Sequence, residues 1–239
     1  MFDTDPTGAP RRPRRWFPVV TAFALLATAI GIPPVSAHTP IQDGRPHATP
    51  ATALYVADPD LSQVAYQNMA GQDRFWVSMD LTAGQGLFLQ LGTPDLEWLA
   101  GYTPALAVVG PGLARDPLPF RVPARLGGVH RVPSNATPEF FDEIFTGTQS
   151  NIWATETFVA PTTGRYHVVA FDPPNRDGKL WLAIGRREQF GFKDIWTYHD
   201  TLTDVRAFHE VSDQPLPPLP ALLEFLSLLV RLFNPTRPA

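Results

Sequence analysis

The chain has 239 residues, of which 44% are hydrophobic and 18% charged, a balance that fits a globular protein rather than a disordered or polytopic membrane protein. It contains 27 prolines and no cysteine, so long helices are disfavoured, and disulfides, thiolate metal sites and cysteine nucleophiles are excluded. Without residues 1–37, the chain carries 15 basic and 21 acidic residues, which argues against general nucleic-acid binding.

The N-terminus has the three parts of an export signal. Four arginines at positions 11–15 precede an uncharged apolar run over 17–32, and a small-residue cleavage motif follows at 35–37. The run is shorter than the ~20 residues that span a bilayer, so we predict a signal peptide over 1–37 that is cleaved before His38. An uncleaved anchor is the alternative, and the second arginine pair resembles part of a twin-arginine signal. The mature chain is therefore expected to be extracytoplasmic, either secreted or membrane-associated.

The first part of the mature chain is predicted to be an extended lead-in followed by strands. Residues 38–52 are polar and rich in proline, which is typical of extended, unpacked chain. A two-residue apolar period then runs through Phe75, Val77, Met79 and Leu81, and it restarts after a glycine-containing turn at Leu87, Leu89 and Leu91. This pattern predicts a β-hairpin with a longer loop.

The next apolar segments predict further short strands. The segment from Pro104 to Val109 is apolar at every position and ends at a Gly-Pro-Gly turn, which indicates a central strand covered on both faces. Further strands are predicted at Gly128–Val132, Ile152–Val159, Arg165–Phe171 and Lys179–Ile184. About eight such strands without a long helix between them predict an all-β fold. We expect an antiparallel β-sandwich of jelly-roll type over residues 53–212.

The C-terminal part predicts a linker and an amphipathic helix. Residues 213–220 are proline-rich and predict a semi-rigid linker, and 221–239 are predicted to be the helix and a tail. Glu224, Ser227 and Arg231 form one narrow polar stripe on a helix whose other residues are apolar. Thirteen residues rise only about 20 Å, too little to cross a bilayer. The helix should lie in a membrane interface or dock on the sandwich, and its interfacial residues would be Leu222, Phe225, Leu226, Leu229 and Phe233.

Three stretches of the sequence resemble known families. They begin at His38, at Pro104-Ala-Leu-Ala-Val-Val-Gly-Pro-Gly and at Gly164-Arg-Tyr-His-Val-Val-Ala-Phe, the last of which leads to the strand that ends at Gly185. Over residues 38–210 they resemble exported microbial proteins of unassigned function. The later two stretches resemble, more weakly, the pre-peptidase C-terminal domain, a small secreted jelly roll attached to proteases and other enzymes. The resemblance implies that these segments are core strands, and it implies little about chemistry.

His38 is the candidate metal ligand with the most specific chemistry. Cleavage before it would make it the N-terminus, where the α-amino nitrogen and the imidazole can chelate one copper ion. A further ligand would have to come from the fold, which offers His47, His130, His167, His199 and His209. The alternative is a solvated, mobile terminus.

Three tryptophans are candidate ligand-binding residues. Trp76, Trp153 and Trp181 lie on the strand faces opposite the aliphatic residues and have polar neighbours. Flat aromatic rings among polar groups can stack on sugars, as in carbohydrate-binding sandwiches. The alternative is that loops such as Phe140-Phe141 and the C-terminal tail cover this second face, so that the tryptophans fill a core.

No enzymatic function is predicted, because the sequence contains no Gly-x-Ser-x-Gly, His-Glu-x-x-His, phosphate-loop or dinucleotide motif. We expect a non-catalytic, extracytoplasmic binding or interaction module of the cell envelope, with a protein or carbohydrate ligand. One alternative is a copper-binding protein that uses His38. Another is an accessory domain to a secreted enzyme. No cofactor other than this copper is expected.

Overall fold

The chain forms eleven β-strands, most of them apolar on at least one face, and two helices follow them. These counts refer to the residues that the computed structural model describes, namely 39–41, 45–71, 73–187 and 192–233, without the side chains of 192–196 and 229–233. The strands are β1 (Thr39–Ile41), β2 (Leu54–Tyr55), β3 (Gln63–Met69), β4 (Arg74–Leu81), β5 (Gly86–Pro94), β6 (Ala105–Gly110), β7 (Gly128–Val132), β8 (Glu139–Glu143), β9 (Thr148–Val159), β10 (Gly164–Phe171) and β11 (Gly178–Ile184). The helices are α1 (Phe192–Phe208) and α2 (Pro218–Phe233). The predicted signal peptide, His38 and residues 234–239 lie outside this description.

The strands pair into two sheets. One is six-stranded, with the order β1-β3-β11-β5-β9-β8, and the other is five-stranded, with the order β2-β4-β10-β6-β7. Most neighbours are antiparallel, but the short edge strands β1 and β2 run parallel to β3 and β4. The fold is therefore mostly β, as predicted, with two short parallel pairs that the sequence pattern did not indicate. Jelly-roll connectivity stays a prediction.

The main core lies between the two sheets. The five-stranded sheet contributes its alternate residues from β4, β6 and β10, and the six-stranded sheet contributes those from β5, β9 and β11. The largest fully buried side chains in this layer are Tyr166, Phe75, Met79, Leu81, Leu87, Leu89, Leu91, Leu106, Leu180, Leu182 and Ile184. Burial of side chains of this size is the main force that holds the two sheets together.

The predicted hairpin between β4 and β5 is wrong, because the two strands belong to different sheets. Their apolar faces both line the central core, so they lie opposite each other rather than side by side. The turn between them crosses from one sheet to the other. It is fastened to the crossing between β9 and β10 by hydrogen bonds from Gly84 N to the Ala160 carbonyl (2.8 Å) and from Ala83 N to Thr163 Oγ1 (3.0 Å).

Both outer sheet faces are largely covered. Trp76, Val169 and Phe171 on the five-stranded sheet lie beneath the segment between β6 and β7, which contributes Phe120 and neighbouring apolar residues. On the six-stranded sheet, Val64, Ile152, Trp181 and Ala183 form a second buried cluster with Tyr66 and Phe141. The end of α1 covers this cluster, since the ring centroids of Tyr66 and Phe208 are 5.0 Å apart.

The close packing of Trp181 on strand β5 depends on a glycine in that strand. Gly92 lies at a register shift between β5 and β9, where a β-carbon would stand 2.1 Å from Cζ2 of Trp181. A glycine is therefore required for the indole to lie flat on the sheet.

Candidate functional site

Helix α1 is fixed to the six-stranded sheet by a buried chain of hydrogen bonds. Trp181 Nε1 donates to Ser150 Oγ (3.1 Å), Ser150 Oγ lies 3.1 Å from His209 Nε2, and His209 Nδ1 lies 2.8 Å from the Val205 carbonyl. A carbonyl can only accept, so Nδ1 carries the proton, Nε2 is the acceptor and the Ser150 hydroxyl donates. The pKa of His209 is lowered to about 4, mainly by burial and also by Lys179, although the hydrogen bond to Val205 raises it. The imidazole is therefore neutral near pH 7.

A buried arginine fixes the end of α1 and the chain that follows it. Arg206 is 4% exposed. Its Nη1 and Nη2 donate to backbone carbonyls of the turn between β8 and β9 and of the segment that follows α1. The acceptors are Thr146 (3.1 Å), Gly147 (3.4 Å), Val211 (2.6 Å) and Gln214 (2.8 Å). The predicted linker therefore begins in contact with the sandwich rather than as a free spacer.

Helix α2 begins at Pro218, earlier than the predicted Ala221, and packs along α1. Two residues of its polar stripe face α1 rather than solvent, because Glu224 Oε1 lies 3.0 Å from His199 Nδ1 and Ser227 is fully buried. The sequence pattern identified the stripe but not the side of the helix that packs.

An apolar face of α2 remains exposed as a result. Leu222, Phe225 and Leu228 are 43%, 58% and 45% exposed, and their spacing of three residues places them along one side of the helix. We call these three residues the α2 apolar face. Of the other predicted interfacial residues, Leu226 is half-buried, and the side chains of Leu229 and Phe233 lie outside the described residues. No described helix has the length and apolar character that crossing a membrane requires.

The predicted metal-binding histidines are dispersed over the fold. His47 Nδ1 donates to the Thr52 carbonyl (2.7 Å), and His130 stacks on the Phe158 ring. His167 lies beside Trp76 on the five-stranded sheet, whereas His209 lies against the six-stranded sheet. Among the described residues, no three His, Cys, Asp or Glu side chains are grouped so that they could hold a metal ion. The copper prediction therefore rests on His38, which is outside the described residues.

If the copper prediction is right, processed protein with a free His38 should bind one copper ion, and a single residue added ahead of His38 should abolish binding. The reason is that chelation uses both the α-amino nitrogen and the imidazole of that residue. Calorimetric titration of the two forms checks this, with circular dichroism to show that both are folded. Equal affinity of the native and extended forms would rule out the amino-terminal site.

The predicted sugar-binding tryptophans lie in two environments. Trp76 and Trp181 are 3% and 5% exposed, so neither ring offers a free face for stacking. Trp153 is half-buried and donates from Nε1 to Thr93 Oγ1 (3.2 Å). Trp76 lies in the cluster that Phe120 and its neighbours cover, and Trp181 lies in the cluster with Tyr66 and Phe141.

One exposed aromatic residue was missed by the sequence reasoning. Trp98 lies in a one-turn 3-10 helix, Glu97–Leu99, and is 52% exposed. Its Nε1 donates to Glu210 Oε2 (3.2 Å), and Lys179 Nζ donates to Glu210 Oε1 (2.7 Å). The segment around Trp98 has no alternating pattern that would distinguish it from a loop, so only the three-dimensional structure brings these residues together.

No protein-family model matches the sequence, and no curated protein matches it either. Several solved structures are similar to this chain at low identity. One is the pre-peptidase C-terminal domain of a collagenase from Bacillus anthracis, with TM-score 0.32 and 11% identity over 59% of this chain and 97% of that one. Another is PliG from Aeromonas hydrophila, a periplasmic inhibitor of g-type lysozyme, with TM-score 0.33 and 14% identity over 62% and 94%.

A third similar structure is CorA, a surface-associated copper-binding protein of Methylomicrobium album BG8, with TM-score 0.33 and 10% identity over 56% of this chain and 98% of that one. The weak resemblance to the pre-peptidase C-terminal domain thus has a structural counterpart. At these TM-scores, none of the likenesses carries an argument about ligand or function.

Proposed function

We propose that the mature chain is a non-catalytic, extracytoplasmic binding module of the cell envelope that attaches to a membrane interface through the α2 apolar face. The export pattern of residues 1–37 supports the location. The observation that carries the proposal is the orientation of α2, in which Glu224 contacts His199 of α1 and Ser227 is buried, while Leu222, Phe225 and Leu228 are exposed.

The size of the exposed face fits weak, reversible membrane binding. Full burial of a large apolar side chain stabilises by roughly 1.5–3 kcal/mol, so completing the burial of three half-exposed side chains yields roughly 3 kcal/mol. A helix with one apolar side that is too short to span lies in the plane of the interface. The rigid attachment of α1 to the sheet means that α2 presents this face without first having to fold.

By themselves, the three described side chains of this face are too small to form a stable interface with a second copy of the chain. Three half-exposed side chains offer roughly 300 Å² of apolar area, whereas a stable protein interface buries about 800 Å² on each partner. The balance of charge adds a further constraint. Because the mature chain carries 15 basic and 21 acidic residues, its net charge does not favour attraction to anionic lipid.

The proposal predicts that mature protein co-sediments with zwitterionic phosphatidylcholine vesicles and that the double variant Phe225→Ser, Leu228→Ser does not. The physical reason is the loss of apolar insertion. A matched control is Phe140→Ser with Val159→Ser, since these side chains are 56% and 57% exposed on strands β8 and β9. The control should sediment like the wild type.

Substitution is preferable to removal of α2, because truncation would also remove the Glu224 partner of His199. Vesicle binding that is unchanged in the α2 variant, or reduced equally in the control, would overturn the proposal. Concentration-dependent dimerisation that the α2 variant alone abolishes would assign the face to self-association instead.

A further inference from the structure

Trp98 lies beside a charged pair that is held in place by the helix end. Lys179 Nζ donates to Glu210 Oε1 (2.7 Å) and to the Phe208 carbonyl (2.9 Å), and its ammonium lies 5.2 Å from the Phe208 ring centroid. Glu210 in turn accepts from the Trp98 indole (3.2 Å). This hydrogen bond holds the indole at its nitrogen, while Trp98 remains 52% exposed to solvent.

Glu210 adopts an unusual backbone conformation to reach these partners. Its φ is +57°, in the left-handed region that glycine favours. The hydrogen bonds Glu210 N to Ala207 O (3.2 Å) and Val211 N to Arg206 O (3.0 Å) form a Schellman motif, in which glycine usually occupies the position that Glu210 holds here. A carboxylate therefore replaces the residue that the backbone prefers, and this observed outlier points towards a role for the carboxylate.

We propose that Trp98, Glu210 and Lys179 form a carbohydrate-binding platform that stacks one pyranose ring on the exposed indole and hydrogen-bonds its hydroxyls. The platform is separate from the α2 apolar face and does not depend on membrane attachment. It also differs from the predicted sugar site, of which Trp76 and Trp181 are buried.

The polar groups have capacity left for a ligand. Each carboxylate oxygen of Glu210 accepts one hydrogen bond in the structure and can accept another, and Lys179 Nζ has a third proton. The Glu210 side chain is 43% exposed, and the hydrogen bond from Lys179 lowers its pKa, so it is an ionised acceptor near neutral pH. An acceptor and a donor beside an aromatic ring suit the adjacent hydroxyls and the apolar face of a pyranose.

A purely structural role explains the platform less well. The ion pair of Lys179 and Glu210 would by itself hold the end of α1 on the sheet, and this role does not require an exposed indole. In strand β11, by contrast, an indole that serves packing is buried, as Trp181 is at 5% exposure. One ring and two charged groups are also small beside the ~800 Å² that each partner of a stable protein interface buries, but they match a single sugar unit.

Calorimetric titration of the mature protein with chitohexaose, cellohexaose and maltohexaose, each to about 5 mM, tests the proposal. We expect binding of at least one oligosaccharide. Trp98→Ala should weaken it at least tenfold and Trp98→Phe by less, because a phenyl ring retains part of the stacking surface. The control Phe140→Ala removes an aromatic side chain of similar exposure, 56%, and should bind like the wild type.

Glu210→Gly is the sharpest variant. It removes the carboxylate while supplying the residue that the left-handed backbone favours, which offsets the loss of the ion pair with Lys179, so binding should weaken severalfold with little change in the melting temperature. The proposal is overturned if wild-type protein binds none of the three oligosaccharides, or if Trp98→Ala and Phe140→Ala have the same effect. A Trp98-dependent contact with a protein and no sugar binding would likewise reject the carbohydrate class.

Discussion

Leu106→Ala should lower the free energy of unfolding by about 3 kcal/mol. Leu106 is fully buried in β6, where it pairs with Ala170 of β10 and Val132 of β7 and faces the core between the sheets. Truncation to alanine removes the transfer free energy of three carbon atoms and leaves a cavity that a layer closed on both sides cannot collapse to fill. Urea denaturation with a two-state fit measures the loss.

Leu222→Ala is the matched control, because it makes the same chemical change on the exposed face of α2. Leu222 is 43% exposed, so its truncation forms no enclosed cavity and should change the free energy of unfolding by less than about 1 kcal/mol. Similar losses in the two variants would contradict the placement of Leu106 in the closed core between the two sheets. Val168 of the neighbouring strand β10 is also fully buried, so Val168→Ala should behave like Leu106→Ala.

The strands with a strong apolar period could be predicted from the sequence almost to the residue. The prediction of Arg74 to Leu81 matches β4, and the predictions for β6, β7, β10 and β11 agree with the structure to within one residue. In each of these segments, the positions of the apolar residues indicate which face of the strand is buried. A strand that is buried on one or both faces must carry its apolar side chains at fixed positions.

Pairing could not be predicted in the same way. The periods of β4 and β5 are equally consistent with a hairpin and with two strands that face each other across a core, since both arrangements bury one face of each strand. The turn at Gly84 decides between them through hydrogen bonds to the segment between β9 and β10, about 75 residues away in the sequence. Strand β8 was missed for a related reason, because its sequence Glu-Phe-Phe-Asp-Glu is mostly exposed at a sheet edge.

Helix α1 was also missed, although a signal was present. Tyr198, Leu202, Val205 and His209 recur at intervals of three and four residues, which is the period of a helix with one buried side. Three threonines lie in the same segment, and β-branched residues lower helix propensity, which obscured the pattern. The candidate surfaces depend on this helix, because it sets the side of α2 that packs and brings Glu210 to Trp98.

Stability should fall as the pH is lowered from about 7 to 4, and His209 should account for about 3 kcal/mol of this loss. In the folded chain, the neutral imidazole accepts from Ser150 and donates to Val205. Protonation would place a second N–H and a charge in this buried site beside Lys179. Burial accordingly lowers the folded-state pKa of His209 from 6.5 to about 4.

The direction of the effect follows from proton linkage. A depressed folded-state pKa means that the unfolded chain binds the proton first, so the contribution of His209 is fully present above pH 6.5 and is lost as the pH falls towards 4. A difference of about 2.5 in pKa corresponds to roughly 3 kcal/mol. Burial and Arg165 also lower the pKa of His167, so part of the loss belongs to that residue.

Comparison with His209→Gln separates the two histidines. A glutamine amide can donate to Val205 and accept from Ser150 but does not titrate, so the variant should lose less stability between pH 7 and 4.5, by roughly 2.5 kcal/mol. Urea denaturation of both proteins across this range measures the difference, in which the contributions of His167 and of the carboxylates cancel. If the stability difference between wild type and variant stays constant with pH, His209 does not titrate as a buried neutral group. The tautomer of His209, in which Nδ1 donates to Val205 and Nε2 accepts from Ser150, would then have to be reassigned.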